Sequence, residues 1–335
     1  MDEASLISKA TQNLSAVLRD AFEMQPSEAA LVIYDTEAPL TRMLTAAYRA
    51  SLPNGQFVDI ATETPEAIIA RVDKLKPRDI VILVQSTNFR LNEFRFRIEL
   101  FKRELKTIEH THLERLEGDD VETYIDSLAY EKEYYRPLGR ALKVKLDKAS
   151  RVVVECEGTS LVYDGPLEET KLNIGDYTEM KNVGGLFPIG EVFTESRDLA
   201  TVNGDAMVFA FAGDDHKVRA HPPFRISVVN GVLDASEAPE EFQAIVTRIK
   251  VEEDVLVREL GLGLNRAMGK YRLLPDVNSF ERQQGVHLSI GAKHAMYAKP
   301  GLSKKHGRYH VDIFVDATRV IIDGENVFEN GAFLR

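Results

Sequence analysis

The chain has 335 residues, 44% hydrophobic and 28% charged, with a formal net charge of -11 and a single cysteine. That length suits about two domains of roughly 100–200 residues each, and the acidic balance argues against a broad basic face for a nucleic acid backbone. The lone Cys156 excludes an intramolecular disulfide and fits a reducing compartment. The opening residues MDEASLISKATQNLSAVLRDAF read as neither a signal peptide nor a membrane span, so the expectation is a cytoplasmic protein without a membrane partner.

In residues 5–23, Leu6, Ile7, Leu14, Val17, Leu18 and Phe22 recur at helical spacing and predict an amphipathic helix. ALVIYDT (30–36), QFVDIAT (56–62) and DIVILVQST (79–87) are short apolar runs that end in turn residues, so buried strands are expected. Helical segments follow each of them: TRMLTAAYRASL, TPEAIIARVDKL with Thr64 as N-cap, and the basic FRLNEFRFRIELFKREL. KTIEHTHL offers a fourth strand, and a helical segment from Val121 to about Leu146 leads away. Strand alternating with helix predicts a parallel sheet with right-handed crossovers. The first domain (1–148) is therefore expected to be an open α/β scaffold.

The texture changes near Ala149. RVVVECEG, TSLVYDG, AMVFAFAG, FRISVVNGVLD, VHLSIGA, YHVDIFVD and TRVIIDGENVF are short β patterns separated by Gly, Asn or Asp turns. One helical piece, about 238–259, interrupts them. The expected second domain (149–335) is β-rich, giving an α/β plus mostly-β chain. No internal repeat or low-complexity tract is present.

Chemistry concentrates in the second half. In a strand, alternate side chains share a face, so His310 and Asp312 of HVDIFV project together while Val311 and Ile313 face the core. An imidazole and a carboxylate aimed at one point make half of a metal site. Glu191 at the exit of the Gly/Pro-dense KNVGGLFPIGEVFTE, Glu259 in RELGLGLN and His287 in GVHLSIG are candidates for the other half. Each also has a plainer reading: a surface Glu beside a β-turn, an exposed helix-end Glu paired with Arg258, and a hydrogen-bonded structural His. Read as the last turn of a helix, Glu259 would oppose the helix dipole. His294 and Tyr297 can ligate metals or shuttle protons, or be structural. His306 reads as a surface histidine, and His110 and His112 as structural or surface residues. His216 and His221 flank a turn. Cys156 reads as a packed core thiol. No Gly-rich turn follows the first-half strands, so no nucleotide cradle is expected, and GLGLN is a negligible dinucleotide signal.

From about residue 150 onward the chain resembles the aminopeptidase T family of leucyl aminopeptidases. EGTSLVYDG, GGLFPIGEVFTE, RELGLGLN, GVHLSIG and HVDIFV with the VIIDGENVFENGAF tail follow that family's segments in order. The resemblance implies two divalent metals (Zn, Mn or Co) held by Glu191, Glu259, His287, His310 and Asp312, a peptide or other small-molecule substrate, and a homodimer. The family's tyrosine ligand falls on His294, with Tyr297 nearby, and its paired Glu-Glu is here Gly190-Glu191. No general base emerges; Glu195, Tyr297 and His294 are the candidates. The same fold family includes a 2,5-dihydroxypyridine 5,6-dioxygenase, for which one Fe(II) on His287, His310 and Asp312 would suffice. A non-catalytic member that kept the fold is the third reading.

Overall fold

The computed structural model describes residues 1–335 except 90–95, 179, 295, 300–301, 303–306 and 335. His306 and part of the basic helical segment thus lie outside the described residues. The chain forms two compact units, Met1–Arg136 with Gly175–Ile189, and Pro137–Ile174 with Gly190–Arg335. One carries an all-parallel sheet and the other an antiparallel sheet, the expected mixture of α/β and β-rich architecture.

In the first unit, α1 (Glu3–Ala16), β1 (Ala30–Tyr34), α2 (Pro39–Ser51), β2 (Gln56–Asp59), α3 (Pro65–Val72), β3 (Ile80–Val84), α4 (Phe96–Lys102), β4 (Lys106–His110) and α5 (Asp119–Ser127) follow in order. Thr64 caps α3 as expected, its hydroxyl accepting from the Ala67 N–H. The predicted helix from Val121 to Leu146 is two helices, α5 and α6 (Lys132–Leu146), with a break at residues 128–131. The sheet order is β2-β1-β3-β4, all parallel. β3 reads Ile-Val-Ile-Leu-Val and is buried at every residue, because helices cover both faces of a parallel sheet. Leu31, Ile33, Val81 and Leu83 pack with Ile68, Val72, Phe96 and Leu100 from α3 and α4. A later segment, β8 (Gly184–Leu186), adds itself in parallel to β4.

His110 closes β4 as a structural residue. Its Nε2 lies 2.8 Å from the Tyr48 hydroxyl and its Nδ1 2.7 Å from that of Tyr124, all three fully buried. His112 adopts a left-handed conformation and lies 3.0 Å from the Asn88 amide.

In the second unit, which also takes in the end of α6 from Pro137, β5 (Arg151–Cys156), β6 (Thr159–Asp164), β7 (Lys171–Asn173), β9 (Glu191–Glu195), β10 (Val202–Ala212), β11 (Val218–Val229), β12 (Val232–Asp234), α7 (Glu240–Glu252), β13 (Val257–Gly263), β14 (Gly285–Ile290), β15 (Val311–Val315), β16 (Ala317–Ile322), β17 (Glu325–Glu329) and β18 (Ala332–Phe333) follow, the strands building one sheet. The strand order is β18-β17-β16-β5-β6-β10-β15-β14-β13-β9-β7, with β11 and β12 branching from β10. Strands β9, β13, β14 and β15, consecutive in that order, are almost wholly buried. Cys156 is a buried free thiol, pushed up by burial, in keeping with a core role. His221 stacks on Phe211 at 4.5 Å, and His216 sits in a positive-φ turn.

The helix expected over 238–259 is shorter. α7 stops at Glu252, and Glu253 is already extended, with φ -158°. The β-branched Val255 and Val257 then enter the core, where sheet packing outweighs helical spacing. Glu259 is therefore a strand residue, and the predicted conflict with a helix dipole does not arise.

The buried His110 gives a pH dependence. Burial lowers its pKa from 6.5 to about 3 in the folded protein. The unfolded chain takes up this proton more readily, so stability is fully present above about pH 6.5 and is lost as pH falls toward 3. In urea unfolding between pH 7 and 4, His110→Gln, which can hydrogen-bond but not titrate, should lose this part of the decline. An unchanged pH slope in the variant would reject the assignment.

Candidate metal centre

The site is built by strand register. In antiparallel pairs, directly opposed residues share a face. Glu259 opposes Glu195, Gly263 opposes Glu191, Gly261 opposes His287, and Ser289 opposes Asp312. Four strands thus bring Glu191, Glu195, Glu259, His287 and Asp312 onto one face. All five are buried.

Glycine makes the room. A Cβ on Gly261 would lie 2.1 Å from the His287 ring, so the bare backbone is the slot in which the imidazole lies. A Cβ on Gly263 would lie 1.9 Å from the Gln283 carbonyl oxygen. The G-x-G of GLGLN answers to these close approaches within a sheet, not to a phosphate.

His287 Nε2 lies 3.1 Å from Glu259 Oε1 and 3.4 Å from Glu191 Oε1. One ligand atom each from Glu191, Glu259 and His287 fall within 4.8 Å of one another. The second Glu259 oxygen is 2.9 Å from His294 Nε2. His310 Nε2 is 3.2 Å from Asp312 Oδ1, and the His294 and His310 rings are 5.7 Å apart. His294 stacks on Tyr297 at 5.2 Å. The Tyr297 hydroxyl donates to the Glu169 carbonyl at 2.7 Å, so that proton is committed away from the carboxylates.

The electrostatics follow from burial and pairing. Burial alone would drive the His287 imidazole down, but hydrogen bonds to Glu191 and Glu259 outweigh it and lift it to about 10. His310 is likewise opposed by burial and lifted to about 9 by Asp312. Burial works against the Glu259 carboxylate, yet hydrogen bonds from His287 and His294 hold it well below the usual range. Protons on imidazoles therefore stand where positive charge is needed.

Arg258, Lys299, Ser289 and Glu253, none of them a candidate site residue from the sequence, shape this face. The register of β13 against β14 shifts between Val257 and Leu260, a β-bulge that lets Arg258 as well as Glu259 reach the site. Arg258 Nε is 2.9 Å from Glu195 Oε2, and Lys299 Nζ is 3.0 Å from Glu195 Oε1. The Glu259 N–H at the bulge donates to Ser289 Oγ at 3.1 Å. Glu253 accepts from the N–H groups of Ala292, Arg308 and Tyr309, tying together the segments that carry His294 and His310. The only sequence signal for the bulge is an Arg-Glu pair in an otherwise apolar strand.

The donor set fits a divalent metal. His287 Nδ1 is buried without a hydrogen bond among the described residues, and Asp312 Oδ1 is buried with the His310 imidazole 3.2 Å away. Mixed carboxylate and imidazole donors suit Zn, Mn, Co or Fe(II). Gly190, at φ +126°, occupies a conformation that side chains avoid, so backbone geometry rather than a carboxylate has claimed the position before Glu191.

No protein-family model matches the sequence, and no curated protein matches it. Among solved structures, wild-type AmpT from Thermus thermophilus, an aminopeptidase T, matches with a TM-score of 0.59. The match covers 98% of this chain and 99% of that one at 13% identity. The chain has the AmpT fold. At this identity the likeness to AmpT establishes the fold, and the case for a metal rests on the geometry above.

Metal removal and a slot mutation test that case together. A metal present at about 100 times its Kd should stabilise the native chain by about 2.7 kcal/mol. Unfolding midpoints with and without chelator should therefore separate. Gly261→Ala, which displaces His287, and His287→Ala should each erase most of that separation. Equal metal responses in all three proteins would show that His287 holds no metal.

Proposed function

We propose that this chain is a metal-dependent, aminopeptidase-like hydrolase. The observation that carries the reading is the buried convergence of Glu191, Glu259 and His287, with His294 and the His310–Asp312 pair beside it. The AmpT fold supports it. Glu191, Glu259, His287, His310 and Asp312 would hold two divalent ions, Zn, Mn or Co. Metal bound there supplies Lewis acidity toward a carbonyl and lowers the pKa of a bound water.

The chain's own groups do the rest. Glu191, Glu259 and Asp312 supply the negative charge that a dication needs. His287 gives up its Nε2 proton and becomes a neutral donor, as ligation requires. Asp312 orients the His310 ring through Oδ1. His294 is the group placed to hold a proton at Nε2 beside Glu259 and to relay it during turnover. Glu195 is clamped by Arg258 and Lys299 and serves as a positioning residue rather than a base. The substrate is a peptide with a free N-terminus, and the working form is a homodimer. The tight cluster includes both glutamates, which a mononuclear Fe(II) ring-cleaving site on His287, His310 and Asp312 would not need; this favours the hydrolase.

Metal content separates the readings. Protein purified without chelator should carry about two metal ions per chain, fewer in His310→Ala, and should release chromophore from aminoacyl anilides. One iron per chain with ring-cleaving activity would shift the reading to the dioxygenase. No metal after reconstitution with Zn, Mn, Co or Fe(II) would end both.

A further inference from the structure

Arg258 is a cation inside a sheet. Its side chain is 2% exposed, and its counter-charge Glu195 is wholly buried. A buried ion pair gains little stability over apolar residues of similar size, because desolvation offsets most of the attraction. What a guanidinium adds is direction, since its three nitrogens lie in one rigid plane and can serve three partners. Here each nitrogen has its own. Nε lies 2.9 Å from Glu195 Oε2, Nη1 donates to the Ala292 carbonyl at 2.5 Å, and Nη2 donates to the Tyr297 carbonyl at 3.4 Å.

Those two carbonyls bracket His294 on the connection between β14 and β15. Ala292 stands two residues before it and Tyr297 three after. Nε2 of the His294 ring lies 2.9 Å from Glu259 Oε2, and its Nδ1 accepts from the Met296 N–H at 3.3 Å. The other Glu259 oxygen meets His287 at 3.1 Å. With an imidazole on each oxygen, the carboxylate is held in one orientation. Arg258 and Glu259 are consecutive at the β13 bulge, so one turn of backbone carries both the carboxylate and the cation that seats its imidazole. Other groups fasten the connection at the edges of this stretch. Glu253 accepts from the Ala292 N–H, and Lys299 lies 2.8 Å from Glu168 and 3.0 Å from Glu195.

We propose that Arg258 is a positioning residue: by holding the Ala292 and Tyr297 carbonyls it sets the His294 ring against Glu259 and so fixes how that carboxylate faces the cluster. The hold on the connection belongs to the metal-free chain. Its consequence for a metal rests on the hydrolase reading above. Groups that orient a metal ligand are worth about 10–100-fold in metal affinity.

Two variants separate direction from charge. Arg258→Lys keeps a positive charge beside Glu195 but has one nitrogen for three partners. Arg258→Met/Glu195→Gln removes both buried charges together and so leaves neither unpaired. In hydrogen exchange of metal-free protein read by mass spectrometry, a peptide spanning residues 292–299 should exchange at least about tenfold faster in both variants. Were Arg258 only a counter-charge, Arg258→Lys would keep wild-type protection. Calorimetric titration with Zn(II) supplies the second readout. Arg258→Lys should weaken zinc binding by at least about tenfold. In a His294→Ala background the same exchange should change zinc affinity by less than about twofold, because the two residues act as one unit. Wild-type protection in Arg258→Lys, or zinc losses that add in full across the pair, would overturn the proposal. If wild type binds no zinc, the hydrolase reading ends, and the exchange result alone decides whether Arg258 places His294.

Discussion

Placing four carboxylates on one dry sheet face is the constraint from which the rest of the second unit follows. Glu195 and Glu259 are direct cross-strand neighbours, and like charges so placed repel. Each buried carboxylate therefore needs a cation close by, since desolvating an unpaired charge costs several kcal/mol. The chain meets the need in two ways. Glu195 receives permanent cations, the Arg258 guanidinium and the Lys299 ammonium. Glu259 and Asp312 receive imidazoles, whose positive charge is a removable proton. Glu191 has one of each, Arg282 at 3.3 Å and His287 at 3.4 Å. The face is thus divided into a part with fixed compensation and a part where another cation can replace protons.

That division explains local features that otherwise look unrelated. The bulge in β13 turns Arg258 toward Glu195, and Ser289 takes up the N–H of Glu259 at the bulge. Gly261 has no side chain because the His287 ring occupies that space. Glu253 binds three backbone N–H groups from the two ends of the one connection between β14 and β15, so the stretches beside His294 and His310 are held by hydrogen bonds to one carboxylate. Each device fixes an imidazole or a counter-charge, and none would be needed on an apolar sheet face.

Much of the scaffold was legible from the sequence because it rests on short-range rules. Apolar runs such as Ile80–Val84, capping at Thr64 and the alternation of His310 with Asp312 depend only on neighbouring residues. The parts that were not legible depend on residues distant in sequence. The helix expected through Glu259 ended early because Val255 and Val257 gain more by entering the sheet core than by continuing the turn. The return of Gly184–Leu186 to pair with β4 carries no local strand signal, since two of its three residues are glycine. In the site, the metal-type residues could be picked out as His and Glu at strand-like positions. Arg258, Lys299 and Glu253 could not, because a charged residue beside an apolar run reads as solvated until register shows what it faces.

Two positions separate this chain from the family it resembles, and their geometry bears on proton handling. Where that family has a glutamate, Gly190 adopts φ +126° and its N–H bonds to the Asn173 carbonyl, so the position serves the sheet. A carboxylate base cannot act from there. Where that family has a tyrosine, His294 lies 2.9 Å from Glu259 and 3.9 Å from Glu195. An imidazole differs from a phenol in presenting two ring nitrogens, so His294 accepts from the Met296 N–H at Nδ1 while its Nε2 meets Glu259. With no carboxylate side chain at residue 190, the His294 imidazole is the polar group set against Glu259 from this side. A tyrosine at residue 294 would supply a single hydroxyl in place of two ring nitrogens, so it could not meet Glu259 and accept from the Met296 N–H in the same way.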